Sequence, residues 1–152
     1  WMEIAMEDLK KVIKETDVLT INDEEARLLS GVHSLRKAAK IILEMGPKYL
    51  IIKKGEHGAM LFGENNIFYA PALPLEEVFD PTGAGDTFAG GFVGHLSSCE
   101  TIDWEAMKKA IIVGSAMASF TVEKFGIEKL IDLDKTQIKE RINEFKNLVS
   151  FN

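Results

Sequence analysis

The chain is poor in cysteine, in prolonged apolar runs and in positive charge, and each shortage removes a class of function. Its one cysteine, Cys99, rules out a disulfide within the chain and suits a reducing cytoplasm. No apolar run approaches the roughly 20 residues of a membrane span, and no charged-then-apolar leader pattern is seen, so a membrane partner is not expected. Lysine and arginine number 18 against 24 acidic residues, a formal net charge of −6. That balance argues against a nucleic-acid backbone as partner, which calls for a basic face. A small anionic ligand needs only a local pocket and stays open. His33, His95 and Cys99 have no partners at metal-ligand or nucleophile spacing, and His57 reads as a turn residue.

What is present is an ordinary globular composition, 46% hydrophobic and 28% charged over 152 residues, enough for one domain with a core. Residues 2–14 place Met2, Met6, Leu9 and Ile13 on one helical face. A short β-prone run at 18–21 leads into Asn22-Asp23-Glu24-Glu25, where Asn22 and Glu25 have the spacing of a capping box, and the helix ends at Gly31. From Ser34 a stripe of Leu35, Ala38, Ala39, Ile42 and Leu43 runs to Gly46-Pro47. Residues 49–52 form a continuous apolar run, the mark of a strand buried on both faces. Residues 59–62 and 67–69 flank a hairpin turn, and Glu77-Val78-Phe79 is again β-prone. Helices are expected to about Leu96, from about Trp104 to Val122 with Asp103 as cap, and around Ile138, Ile142, Phe145 and Val149. The order predicts an α/β domain with a partly parallel sheet.

The most unusual text is Phe79-Asp80-Pro81-Thr82-Gly83-Ala84-Gly85-Asp86-Thr87-Phe88-Ala89-Gly90-Gly91-Phe92. Glycines at a helix start let the backbone turn tightly and aim successive N–H groups at one spot. With the positive end of the helix dipole they form an anion site. A carboxylate there, Asp86, is either a cap or a reagent able to accept a proton. The stretch is no P-loop, and Gly83-Ala84-Gly85 lacks the third glycine of a dinucleotide fingerprint.

Asp80-Pro81-Thr82-Gly83-Ala84-Gly85-Asp86-Thr87-Phe88 resembles the C-terminal signature of the ribokinase-like (PfkB) family of carbohydrate and nucleoside kinases. Asn22-Asp23-Glu24-Glu25 resembles that family's N-x-x-E motif, and Lys53-Lys54-Gly55-Glu56-His57-Gly58 resembles its nucleotide loop, in the same order. The resemblance implies a three-layer α/β/α fold with a mostly parallel central sheet, and ATP-dependent phosphorylation of a sugar or nucleoside hydroxyl. It assigns Asp86 as general base, and the amides of Gly83, Ala84 and Gly85 as the hole for the transferred phosphoryl group. Asn22 and Glu25 would act through water on the phosphates and Mg²⁺. Lys53, Gly55, Glu56 and Gly58 would border the nucleotide, with Ser115 near its base. Asp80 and the backbone of Thr82, Thr121, Lys124 and Gly126 match a monovalent-cation site, such as one for K⁺, seen in several relatives.

Members of that family are typically about twice as long. The resemblance therefore implies a nucleotide-binding, catalytic-base half without the acceptor-binding half or lid, beginning at Trp1 where such a kinase would already be under way. An apolar edge left by that division leads us to expect a homo-oligomer. A nucleotide-binding module without turnover is the alternative expectation.

Overall fold

The computed structural model describes residues 5–123 and 128–150. They fall in two compact units, Trp1–Tyr69 and Ala70–Asn152, taken in turn.

In the first unit, helix α1 (Met6–Lys14) precedes strand β1 (Val18–Asn22), helix α2 (Asp23–Ser30), helix α3 (Leu35–Leu43) and strand β2 (Tyr49–Lys53). A 3₁₀ turn (Gly55–His57) then leads to strands β3 (Ala59–Phe62) and β4 (Ile67–Ala70). The helices form where apolar spacing and end signals agree. Asn22 caps α2, and Gly31 closes it in the left-handed region at φ 71°. Ile13, Leu29, Ala39 and Ile42 pack on Leu50 and Ile52 of β2, which places the helices against one face of the sheet. On the strand's other face Ile51 and its partner Leu61 are also fully buried, as the unbroken apolar run predicts. Gly46 is required where the chain crosses α1: at φ 148°, a Cβ there would lie 2.7 Å from the Lys14 carbonyl oxygen.

The sheet order is β1-β2-β3-β4. The β1–β2 pair is parallel and the β2–β3 pair antiparallel, so this sheet is mixed where the resemblance implied a mostly parallel one. Loop length is the reason. Between β1 and β2 stand two helices, enough for a crossover. Between β2 and β3 there are only five residues, which permit a reversal and nothing more.

In the second unit an extended segment leads to helix α4 (Ala84–Leu96), then helices α5 (Trp104–Thr121), α6 (Glu128–Ile131) and α7 (Lys135–Val149). Asp103 caps α5 by accepting from the Ala106 N–H at 2.8 Å. Glu77-Val78-Phe79 is no strand: Val78 and Phe79 are exposed, and the segment has no ladder. Helix α4 lies close on α5 because two glycines meet there. A Cβ on Gly91 would stand 3.1 Å from the Gly114 Cα, and one on Gly114 would stand 2.7 Å from the Phe88 carbonyl oxygen. Phe88, Phe92, Met107, Ile111, Phe120 and Phe145 fill the core. Of the four apolar positions expected to line α7, only Phe145 is buried, and Val149 is exposed. Arg141 holds α7 to the end of α5, its guanidinium 4.0 Å from the Phe120 ring centre and 2.6 Å from Glu123.

Candidate active site

In the first unit the candidate residues gather at the carboxyl ends of the two parallel strands, where open α/β sheets bind ligands. The register pairs Asn22 directly with Lys53. The capping box is fully formed. Asn22 Oδ1 accepts from the Glu25 N–H at 2.7 Å, and Glu25 Oε2 accepts from the Asn22 N–H at 2.8 Å. This fixes both side chains yet leaves the second carboxylate oxygen of Glu25 outside the cap, which fits a role through water. Beside them Arg27 donates to Asp23 at 2.6 Å, and this hydrogen bond holds the Asp23 carboxyl below its usual range.

The chain after Lys53 turns through two glycines in left-handed territory, Gly55 at φ 54° and Gly58 at φ 89°. The Lys54 N–H donates to the Gly58 carbonyl at 2.8 Å, closing the loop at its neck. Tyr69 Oη donates to the His57 carbonyl, and Lys54 Nζ stands 5.9 Å above the Tyr69 ring. Glu56 and His57 are exposed on the rim, and His57 is the turn residue expected of it.

In the second unit Gly83 adopts φ 80° as the N-cap of α4, a conformation that a side chain would strain. The helix then opens with Ala84, Gly85 and Asp86. Asp86 is exposed and lies in the first turn. The Ala84 N–H donates to the Pro81 carbonyl at 3.1 Å, so it would have to leave that bond to receive an anion. The N–H groups of Gly85 and Asp86 have no partner among the described residues, as expected of a helix start. Asp80 Oδ1 accepts from the Thr82 N–H at 2.9 Å, and that bond keeps the Asp80 carboxyl below its usual range.

The end of α5 meets this loop. The Phe79 N–H donates to the Val122 carbonyl at 2.9 Å, and Thr121 Oγ1 donates to Thr87 Oγ1 at 2.9 Å. Asp80 and Thr121, two of the candidate cation ligands, are thus the chain neighbours of a hydrogen-bonded pair. Lys124 and Gly126 lie outside the described residues. Ser115 is half-buried within α5. The contacts of Thr87 with Thr121 and of Tyr69 with His57 had no signal in the sequence, since they join positions distant along the chain.

Among the described residues no three His, Cys, Asp or Glu side chains gather as a metal-ligand set. A groove of about 450 Å³ lies where α4 ends and α5 begins, lined by His95, Cys99, Glu100, Asp103 and Lys109 among others, at the far end of α4 from Asp86. No described helix is long and apolar enough to cross a membrane.

Comparison with known proteins matches residues 1–132 to the model of the pfkB family carbohydrate kinases. A cytidine kinase of Thermococcus kodakarensis is 30% identical over 120 residues, 78% of this chain and 41% of that protein. A ribokinase of Staphylococcus aureus is 32% identical over 122 residues, 77% of this chain and 38% of its own length. Among solved structures, aminoimidazole riboside kinase from Salmonella enterica, complexed with aminoimidazole riboside and an ATP analog, superposes with a TM-score of 0.75 at 26% identity. It matches 98% of this chain and 48% of its own. The chain spans less than half the length of these relatives, and over that span it has the ribokinase-like α/β fold. With the signature loop at the head of α4 and a family model matched across residues 1–132, the chain belongs to the pfkB family of carbohydrate kinases.

Proposed function

We propose that this chain carries the nucleotide-binding and catalytic-base portion of an ATP-dependent kinase that phosphorylates a hydroxyl of a sugar or a nucleoside. One observation carries the reading. An exposed carboxylate, Asp86, stands in the first turn of a helix behind a left-handed glycine, and the Gly85 and Asp86 N–H groups there have no partner among the described residues. The names of the relatives, which are kinases of sugars and nucleosides, support it.

In this mechanism Asp86 takes the proton of the acceptor hydroxyl as that oxygen attacks the γ-phosphorus. The bond from the γ-phosphorus to the β,γ-bridging oxygen breaks, giving a phosphorylated acceptor and ADP. Charge on the transferred group is spread over its equatorial oxygens, so stabilisation by oriented N–H donors is the main protein contribution. Gly83, Ala84 and Gly85 supply that backbone. Lys53, Gly55, Glu56 and Gly58 border the nucleotide, with Ser115 near its base. Asn22 and Glu25 act through water on the phosphates and on Mg²⁺, an ion that keeps several of its waters and needs few protein ligands. Held there through water by Asn22 and Glu25, Mg²⁺ would offset the negative charge of the phosphates. Asp80, Thr82, Thr121, Lys124 and Gly126 are the candidate surroundings of a monovalent cation such as K⁺.

The single free cysteine fits a cytoplasmic protein; the exposed apolar residues Ile67, Tyr69, Val78 and Phe79 fit self-association, and light scattering would read the oligomeric state. The acceptor hydroxyl must be held in line at about 3–3.5 Å, with water kept out. The relatives carry more than half their length outside the matched span, and we assign those tasks there. The 152-residue chain is therefore expected to bind adenine nucleotide while phosphorylating neither sugars nor nucleosides. The test is an assay with ATP and a panel of both, on the chain alone and on the chain joined to the upstream half of a relative. Efficient phosphorylation by the chain alone would refute the division of labour. No nucleotide binding, and no activity in the joined protein, would refute the kinase reading.

A further inference from the structure

The loop of residues 80–86 is secured mainly by its own short-range bonds: Thr82 N–H to Asp80, Ala84 N–H to the Pro81 carbonyl, and Thr87 N–H to the Gly83 carbonyl. Such bonds give the loop a shape but do not orient it on the rest of the unit. Orientation comes from its two stems, and both are tied to consecutive residues at the end of α5. Before the loop, the Phe79 N–H reaches the Val122 carbonyl at 2.9 Å. After it, Thr121 Oγ1 reaches Thr87 Oγ1 at 2.9 Å, across 34 residues of sequence. Thr121 is buried, so its hydroxyl has no ready exchange with water, and losing its partner would leave a buried polar group unsatisfied. Gly114 and Phe88 bring α4 close enough on α5 for this bond to span the gap.

We propose that the Thr121 hydroxyl is a positioning group that, through Thr87, sets the rotation of the first turn of α4 and so aims Asp86 and the neighbouring N–H groups at the phosphate. The proposal rests on the kinase reading above and adds to it a residue outside the signature loop. A helix start binds an anion only along the directions of its N–H groups. A small rotation therefore weakens phosphate contacts and leaves the adenosine portion untouched.

The experiment measures dissociation constants of ATP and of adenosine for the 152-residue chain by calorimetry. Thr121→Val keeps the shape and removes the hydroxyl, Thr121→Ser restores the hydroxyl, and Thr87→Ala removes the partner. The preference for ATP over adenosine is expected to fall about threefold to tenfold in Thr121→Val, the range for one lost buried hydrogen bond. It should fall similarly in Thr87→Ala, no further in the double variant, and recover within about twofold in Thr121→Ser. A variant that fails to fold is replaced by its partner-side counterpart, since either removes the same bond. If wild type prefers ATP while both Thr121→Val and Thr87→Ala keep that preference, the positioning role is wrong and the kinase reading stands. If wild type shows no preference for ATP, the phosphate site itself is misplaced and both fall.

Discussion

Substituting Gly114 by alanine tests the packing that supports the candidate base. The added Cβ would lie 2.7 Å from the Phe88 carbonyl oxygen and 3.1 and 3.2 Å from two Phe88 ring carbons. Ordinary contacts start near 3.4 Å, so α4 must retreat by several tenths of an ångström or its first turns must deform. The obstacle is backbone, which cannot swing aside as a side-chain tip would. Over-packing of this kind costs about 1–3 kcal/mol. Against it stands the gain of about 1 kcal/mol for replacing glycine with alanine inside a helix. A net loss of up to roughly 2 kcal/mol is expected, which for a chain of this size lowers Tm by up to about 8 °C. Phe88 lies two residues beyond Asp86, so the preference for ATP over adenosine should fall as well. Gly90→Ala is the control. Nothing stands within 4 Å of a Cβ there, so it should leave Tm unchanged or raise it. Thermal melts followed by circular dichroism in the far ultraviolet read both variants. A Gly114→Ala protein as stable as Gly90→Ala would show that the close crossing of α4 on α5 does not exist.

Three further outcomes are expected. In the joined protein, Asp86→Asn should keep nucleotide affinity and lose about 10²–10⁴ in kcat, the usual worth of a general base. More than a tenth of the activity remaining would remove Asp86 from that role. Gly85→Val should weaken ATP binding far more than adenosine binding, because a β-branched side chain obstructs phosphate at the helix start; equal losses would mean that the variant had disrupted the whole unit. Arg27 lowers the pKa of Asp23 in the folded chain, so the contact stabilises fully above the unfolded value of about 3.9 and fades as pH falls through the lower folded value. Asp23→Asn should accordingly cost less than about 1 kcal/mol at pH 7 for this half-buried pair. The gap from wild type should close in acid urea titrations, and a gap that widened on acidification would refute the assignment.

The sequence by itself determined what depends on neighbours three or four residues apart. The reciprocal cap of Asn22 and Glu25, the cap of α5 by Asp103, the αL end at Gly31 and the buried run of β2 all follow from spacing and chemistry alone, and the structure places them as expected. The signature around Asp86 was legible for the same reason, because a glycine-rich helix start is a local object. Tertiary structure decided what joins distant segments. Glu77-Val78-Phe79 has strand-like composition, yet a strand needs a partner ladder, and here Phe79 instead gives its N–H to the end of α5. Gly91 and Gly114 read separately as weak points in two helices, and only their meeting shows that each makes room for the other. Thr87 and Thr121 stand 34 residues apart in the sequence, and only the crossing of α4 on α5 sets their hydroxyls 2.9 Å apart. Spacing along the chain carries no record of such contacts, since the energy that forms them arises only when two packed surfaces exclude water between them.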